Sequence, residues 1–203
     1  DDPNPGSHTC YTKRGASLGV SRSISTPFNV VAWRGSYAPY KYDLRRFVAL
    51  NSVTVDHPDP SIFTVLTVPS AEPGVSVADL IVFPPRWSCA EGTFRPQYYH
   101  VNCMSEFMGL IDGEYDAKRG GKGGFVPGGA SLHAIGGPRG PDAESDAAAV
   151  REDTATPRKI GGGLAVMFET MYHLRLTDWA RGASQPEYMD CWEGLPLVTQ
   201  HSA

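Results

Sequence analysis

Short apolar runs, rich in β-branched and aromatic residues and ended by proline or glycine, recur along the first half of this 203-residue chain. They occupy residues 28–33, 47–55, 62–68 and 77–83. Each run is shorter than a typical helix and is separated from the next by turn-forming residues. This spacing predicts an all-β fold of the sandwich or barrel type.

The second half continues this pattern less regularly. Residues 95–111 are rich in Tyr, Phe, Cys and Met, and residues 164–177 predict a further strand pair. In the latter, Tyr172, Leu174 and Leu176 alternate with polar residues and are expected to face the core. The convincing helix signal is at residues 143–151, where Asp142 is placed to cap the first turn.

Composition bounds the class of protein. With 41% hydrophobic residues, the chain is predicted to form a single domain over residues 1–203. The net charge is −4, without a basic stripe, so nucleic acid is not an expected partner. Since apolar runs stay far below the roughly 18 residues of a membrane span, no membrane partner is expected. The four cysteines form no C-x-x-C pair, which favours free thiols in the cytoplasm.

The glycine- and lysine-rich segment 116–124 resembles a phosphate-binding loop only superficially. The phosphate-loop pattern requires glycine where the chain has Asp116 and a hydroxyl residue where it has Gly123. We therefore expect a solvated, mobile surface loop here.

Six histidines are candidates for chemistry. His8 and His201 lie near the ends, and His173 lies on the polar side of a predicted strand, so these three are expected to be solvated. His57, His100 and His133 remain.

His100, Asn102 and Glu106 form an H-x-N-x-x-x-E pattern. A straight strand would separate His100 from Glu106 by about 20 Å, whereas ligands of a shared metal each lie roughly 2 Å from it. The chain must therefore turn between them, at residues 102–105. The pattern resembles the first metal-binding motif of the cupins, with Asn replacing the second His. The two interpretations are a ligand pair and an ordinary pair of polar core residues.

Residues 127–133 resemble the second cupin motif, in which glycines turn the chain and present a histidine, here His133. Two histidines and one carboxylate are the usual platform for non-haem Fe(II) and O₂. The alternative for His133 is a buried histidine bonded to backbone. His57, in a rigid Asp-His-Pro-Asp-Pro turn, is either a general acid-base group oriented by neighbouring carboxylates or a solvated loop residue.

The chain resembles the C-terminal portion of the homogentisate 1,2-dioxygenase family from about Pro27 to Trp192, which implies a domain core within residues 27–192. The resemblance implies a cupin-like jelly roll (double-stranded β-helix) with one short helix and long loops. It also implies a cytosolic homo-oligomer that uses Fe(II) and O₂ to open the ring of homogentisate, an aromatic acid, to maleylacetoacetate in phenylalanine and tyrosine catabolism. The family's N-terminal half is expected to be absent, and whether the chain is a fragment is left open. The strings that carry the resemblance are Pro27-Phe28-Asn29-Val30-Val31, Tyr40-Lys41-Tyr42, residues 56–67, Phe83-Pro84-Pro85-Arg86-Trp87, residues 102–109 and Met167-Phe168-Glu169.

The resemblance implies that His100 and Glu106 are iron ligands, that His57 is the acid-base residue and that Tyr115 hydrogen-bonds the substrate. The family's third ligand is a histidine directly before Gly-Pro-Asp, where this chain has Arg139. Arginine has no lone pair for a metal.

Three arrangements are therefore open at Arg139. His133 substitutes as the third ligand, two ligands hold iron weakly, or the guanidinium takes the metal's place and pairs with Glu106. Two functions follow: a homogentisate-type dioxygenase, or a catalytically silent cupin that binds an aromatic acid or serves as an oligomer subunit.

Overall fold

A computed structural model describes residues 6–15, 17–24, 40–49, 60–118 and 125–196. The chain divides into two compact units, residues 44–175 with 184–203 and residues 1–43 with 176–183. The expectation of a single domain over residues 1–203 stays a prediction. The predicted strand at residues 28–33 lies outside the described residues, as does most of the one at 47–55.

The smaller unit contains an antiparallel hairpin that the sequence analysis did not predict. Strand β1 (His8–Arg14) pairs with β2 (Ser17–Ser23), with Arg14 opposite Ser17. Gly15, in the turn, has a φ of 59°, a conformation that favours glycine. A short helix, α2 (Asp178–Gly182), is capped by the Thr177 hydroxyl, which accepts from the Ala180 N–H.

The larger unit is built on a five-stranded antiparallel sheet. Its strands are β3 (Thr64–Pro69), β4 (Ser76–Phe83), β6 (Ser105–Asp112), β7 (Ala130–His133) and β9 (Leu164–Thr170), and β5 (Arg86–Ser88) pairs separately with β8 (Arg158–Ile160). The spatial order in the sheet is β3-β4-β9-β6-β7. The runs predicted at 62–68 and 77–83 form β3 and β4. Among the described residues strands dominate and helices are few, which confirms the all-β class.

The described residues of the larger unit also contain three short 3₁₀ segments and one α-helix. The 3₁₀ segments are Leu44–Arg46, Pro60–Phe63 and Pro186–Trp192. Helix α1 (Ala143–Val150) confirms the predicted helix, and the Asp142 carboxylate accepts from the Ser145 N–H as its N-cap. No helix among the described residues is long and apolar enough to cross a membrane.

The core covers one face of the sheet. Alternate residues of β4, β6 and β9 point to this face, as the period of two along a strand requires. The rings of Phe63 and Phe83 lie 5.3 Å apart within it. Burying each such side chain stabilises the fold by about 1.5–3 kcal/mol. The cluster consists of Phe63, Ile81, Phe83, Met108, Leu110, Phe125, Ala165 and Met167.

Two expectations are wrong. Residues 171–177 form no strand, and Tyr172, Leu174 and Leu176 are 60%, 43% and 45% exposed instead of facing the core. An alternating pattern becomes a strand only beside a partner, and β9 ends at Thr170. Lys118, assigned to the solvated loop, is only 3% exposed, while residues 119–124 lie outside the described residues. None of the four cysteines, all of them described, forms a disulfide.

Candidate functional site

Glu106 lies at the start of β6, on the face that carries the core. The strand register places it between His133 of β7 and Glu169 of β9. Met108 and Leu110 follow it on the same face, which explains why this carboxylate is buried. His133 Nδ1 lies 3.5 Å from Glu106 Oε2. The sheet therefore brings together two of the three residues that sequence analysis singled out as metal ligands.

Arg139 occupies the other side of the Glu106 carboxylate. Its backbone pairs with that of His100 through two N–H to carbonyl bonds of 3.0 Å, and the residue is 3% exposed. The guanidinium donates to four acceptors: Asn102 Oδ1 at 2.7 Å, Glu106 Oε1 at 2.5 Å, the Met104 carbonyl at 3.2 Å and the Ala134 carbonyl at 2.9 Å. Of the three arrangements open from the sequence, this is the pairing of the guanidinium with Glu106.

The chain turn required between His100 and Glu106 is a bend at residues 103–104. Asn102 stabilises it, because its Oδ1 accepts from the Met104 N–H at 2.9 Å while its Nδ2 donates to Glu106 Oε1 at 2.9 Å. Such a side-chain-closed turn is typical of asparagine. Asn102 therefore both shapes the bend and binds the carboxylate.

The pKa values of the Glu106 and Glu169 carboxyl groups are shifted in opposite directions. Burial on its own raises the pKa of Glu106, but hydrogen bonds from His133, Asn102 and Arg139 outweigh it and lower this pKa. Burial, followed by the hydrogen bond with Glu106, raises the pKa of Glu169. Glu106 is therefore the ionised member of the pair, and Glu169 holds a proton more readily.

The ring of His100 has a defined tautomer. Its Nδ1 lies 2.7 Å from the Tyr98 carbonyl oxygen. A carbonyl can only accept, so Nδ1 carries the proton and the lone pair is on Nε2. His100 is therefore prepared to donate an electron pair from Nε2.

Lys118 and Tyr188 adjoin His133, and sequence reasoning assigned neither to the site. Lys118 Nζ donates to Tyr188 Oη at 2.5 Å and lies 3.9 and 3.8 Å from the ring centroids of Tyr188 and Trp192. Tyr188 Oη lies 3.3 Å from His133 Nε2. Burial lowers the pKa of Lys118 to about 8. The sequence carried no signal for this cluster beyond the unassigned aromatic pair in Pro186–Trp192.

Tyr115 lines two cavities. The smaller, of about 50 Å³, is also lined by His100, Glu106, Lys118, His133 and Arg139. The larger, of about 420 Å³, has mainly apolar walls that include Phe63, Phe83, Trp87 and Ile160. This volume lies in the range of small-molecule sites. Burial raises the pKa of Tyr115 to about 12, so its hydroxyl keeps its proton and can donate.

The residues do not fit a bound metal ion in this arrangement. Within the described ranges, no group of three or more His, Cys, Asp or Glu side chains could hold one. The reason lies at Glu106, where Arg139 already supplies the compensating positive charge and, with Asn102, occupies Oε1. The position of the family's third ligand is therefore occupied by the Arg139 cation, which has no electron pair to donate to a metal. His57 lies outside the described residues.

Comparison with known proteins gives two family matches. Residues 45–199 match a model described as homogentisate 1,2-dioxygenase C-terminal, and residues 1–44 match the corresponding N-terminal model.

Three curated relatives are each named homogentisate 1,2-dioxygenase. The one from Homo sapiens is 51% identical over 94% of this chain and 43% of its own length. The one from Rhodopseudomonas palustris (strain TIE-1) is 54% identical over 91% of this chain and 41% of its own length. The one from Oryza sativa subsp. japonica is 50% identical over 96% of this chain and 41% of its own length. The chain thus spans about two-fifths of the length of these relatives.

Proposed function

The chain belongs to the homogentisate 1,2-dioxygenase family, and from this premise we propose that it serves in the oxidative ring opening of homogentisate by O₂ to maleylacetoacetate. We also propose that it works in the cytoplasm as a homo-oligomer. The five-stranded sheet of the larger unit is proposed to be part of a cupin-like jelly roll.

The observation that carries this proposal is the convergence of His100, Glu106, His133 and Tyr115 on one small cavity. Two imidazoles and one carboxylate are the donor types that non-haem Fe(II) prefers. We propose Fe(II) as the metal, which His100, Glu106 and His133 would hold only after a rearrangement of the geometry described above, with His133 replacing the family's third histidine. Arg139 must first release Glu106, so the guanidinium competes with the metal for this carboxylate.

The remaining roles concern the substrate. Tyr115 lines both cavities and its hydroxyl keeps its proton, so it is proposed to donate a hydrogen bond to homogentisate. The apolar walls of the larger cavity suit an aromatic ring and limit the access of water. His57 is proposed as the acid-base group that acts on a substrate hydroxyl, on the strength of the family resemblance.

The test compares the parent chain with Arg139→His after anaerobic loading with Fe(II). Iron per chain is measured by elemental analysis, and turnover by homogentisate-dependent O₂ consumption. We expect Arg139→His to bind iron at least about tenfold more tightly than the parent, because an imidazole replaces a competing cation. Glu106→Gln should lose the iron in both backgrounds, and Glu114→Gln, on an exposed residue, should retain it.

The outcomes separate the proposals. Equal iron affinity in the parent and Arg139→His would refute competition by Arg139. An iron-loaded Arg139→His variant without turnover would refute the dioxygenase proposal. Iron binding and turnover in Arg139→His but in no preparation of the parent would make the parent a catalytically silent member of the family.

A further inference from the structure

Lys118, Tyr188 and Trp192 form a cluster on the side of His133 that faces away from Glu106. Lys118 is buried there, and a lysine ammonium has three donors and no acceptor. At 2.5 Å, Tyr188 Oη must therefore accept from Lys118 Nζ. The rings of Tyr188 and Trp192, less than 4 Å from Nζ, hold the cation in place by cation–π contacts.

This contact determines what the Tyr188 hydroxyl does next. The phenol has a single proton, and the Lys118 ammonium beside it has no lone pair that could accept this proton. Since Lys118 donates to Oη, the hydroxyl is directed toward an acceptor, and His133 Nε2 lies 3.3 Å away. In the neutral ring, Nε2 then carries the lone pair.

The direction of hydrogen-bond donation continues through the imidazole of His133. A neutral ring has one N–H, so an accepting Nε2 places the proton on Nδ1. Nδ1 lies 3.5 Å from Glu106 Oε2, the carboxylate oxygen that faces away from Arg139. The Nδ1–H of His133 therefore donates toward the Glu106 carboxylate, while the Tyr188 hydroxyl donates to Nε2.

We propose that Lys118 and Tyr188 are positioning residues for His133, through a hydrogen-bond chain directed from Lys118 Nζ to Tyr188 Oη to His133 Nε2 and from His133 Nδ1 to Glu106. In this state both ring nitrogens are engaged. The inference deepens the proposed function by naming the groups that control His133, although the hydrogen-bond direction itself does not depend on turnover.

The experiment reads the His133 tautomer directly. The full chain is labelled with ¹⁵N-histidine, and long-range ¹H–¹⁵N correlations report which ring nitrogen carries the proton in the metal-free protein. His133→Gln assigns the signals by their disappearance. We expect the parent to show the Nδ1–H form with Nε2 accepting a hydrogen bond, and Tyr188→Phe, which removes the donor, to move the ¹⁵N signal of Nε2 toward that of an imidazole nitrogen without a hydrogen bond. Lys118→Met should produce a smaller shift in the same direction, because Tyr188 loses the donor that orients it.

Matched controls lie elsewhere on the surface. Tyr172→Phe and Lys159→Met make the same chemical changes at exposed positions and should leave the His133 signals unchanged. An Nε2–H ring in the parent, or an unchanged Nε2 signal in a folded Tyr188→Phe variant, would overturn the inference. Because no substrate or metal is present, its failure is distinguishable from the absence of turnover that would refute the proposed function.

Discussion

Arg139 Nη1 lies 2.5 Å from Glu106 Oε1, and the two side chains are 2% and 7% exposed. A sequence separation of 33 residues is closed by the backbone pairing of Arg139 with His100 and by the bend at residues 103–104. This buried ion pair replaces the metal-to-carboxylate contact that the family resemblance predicts. Charge at the centre of the site is thus balanced within the chain itself.

The ion pair should be strongly coupled energetically. We expect Glu106→Gln or Arg139→Met alone to lower the free energy of unfolding by about 3–5 kcal/mol, because each leaves a buried group without its partner. The double variant should lose much less than the sum of the two, as measured by urea unfolding in a double-mutant cycle. The more exposed pair Arg158 and Asp116, treated in the same way, should show a coupling of about 1 kcal/mol or less. Similar couplings in the two cycles would contradict a buried, stabilising pair.

Stability should depend on pH through Lys118. Burial lowers the pKa of this lysine from 10.5 to about 8, so between these values the unfolded chain binds more protons than the folded one. Its contribution to stability therefore rises with pH in this window and is flat well below it. The free energy of unfolding of the parent minus that of Lys118→Met should increase by about 2 kcal/mol between about pH 8 and about pH 9.5. Lys159→Met should show no such trend, and a flat difference for Lys118→Met would mean that Lys118 titrates normally.

Gly113 should tolerate no side chain. Its φ is 71°, and a Cβ built there would lie 1.6 Å from the Gly162 carbonyl oxygen. We expect Gly113→Ala to destabilise the protein by at least about 3 kcal/mol, since both backbone strain and a backbone clash oppose it. Gly161→Ala is the matched control, because nothing lies within 4 Å of its added Cβ. Thermal unfolding of the two variants makes the comparison, and equal midpoints would refute it.

The N-cap of α1 should contribute measurably to the free energy of unfolding. Asp142 accepts from the Ser145 N–H at 2.7 Å, and we expect Asp142→Ala to cost about 1 kcal/mol in urea unfolding. Glu144→Ala removes an exposed acid from the same first turn without removing the cap. It should cost only a few tenths of a kcal/mol through the helix dipole. Equal costs would assign the effect to charge and not to the hydrogen bond.

Local sequence patterns were sufficient to predict the parts of the fold that depend on residues close together in the chain. The apolar run at 77–83 became β4, and Asp142 could be assigned as a cap from its place before a helix-forming run. The motif around His100 and Glu106 also showed that a bend was needed, because a straight strand holds them too far apart. In the same way, the chemistry of arginine alone excluded Arg139 as a metal ligand.

Which residues distant in the sequence contact each other could be learned only from the tertiary structure. Lys118 reads as part of a solvated loop until Tyr188, 70 residues later, provides a hydrogen bond and an aromatic face that let it be buried. The alternation at residues 172–177 is that of a strand, yet none of the described strands pairs with it. Residue type thus determined which groups could bind, donate or cap. Which of them meet is decided by the packing of the sheet, because contacts between distant segments leave no periodic trace in the sequence.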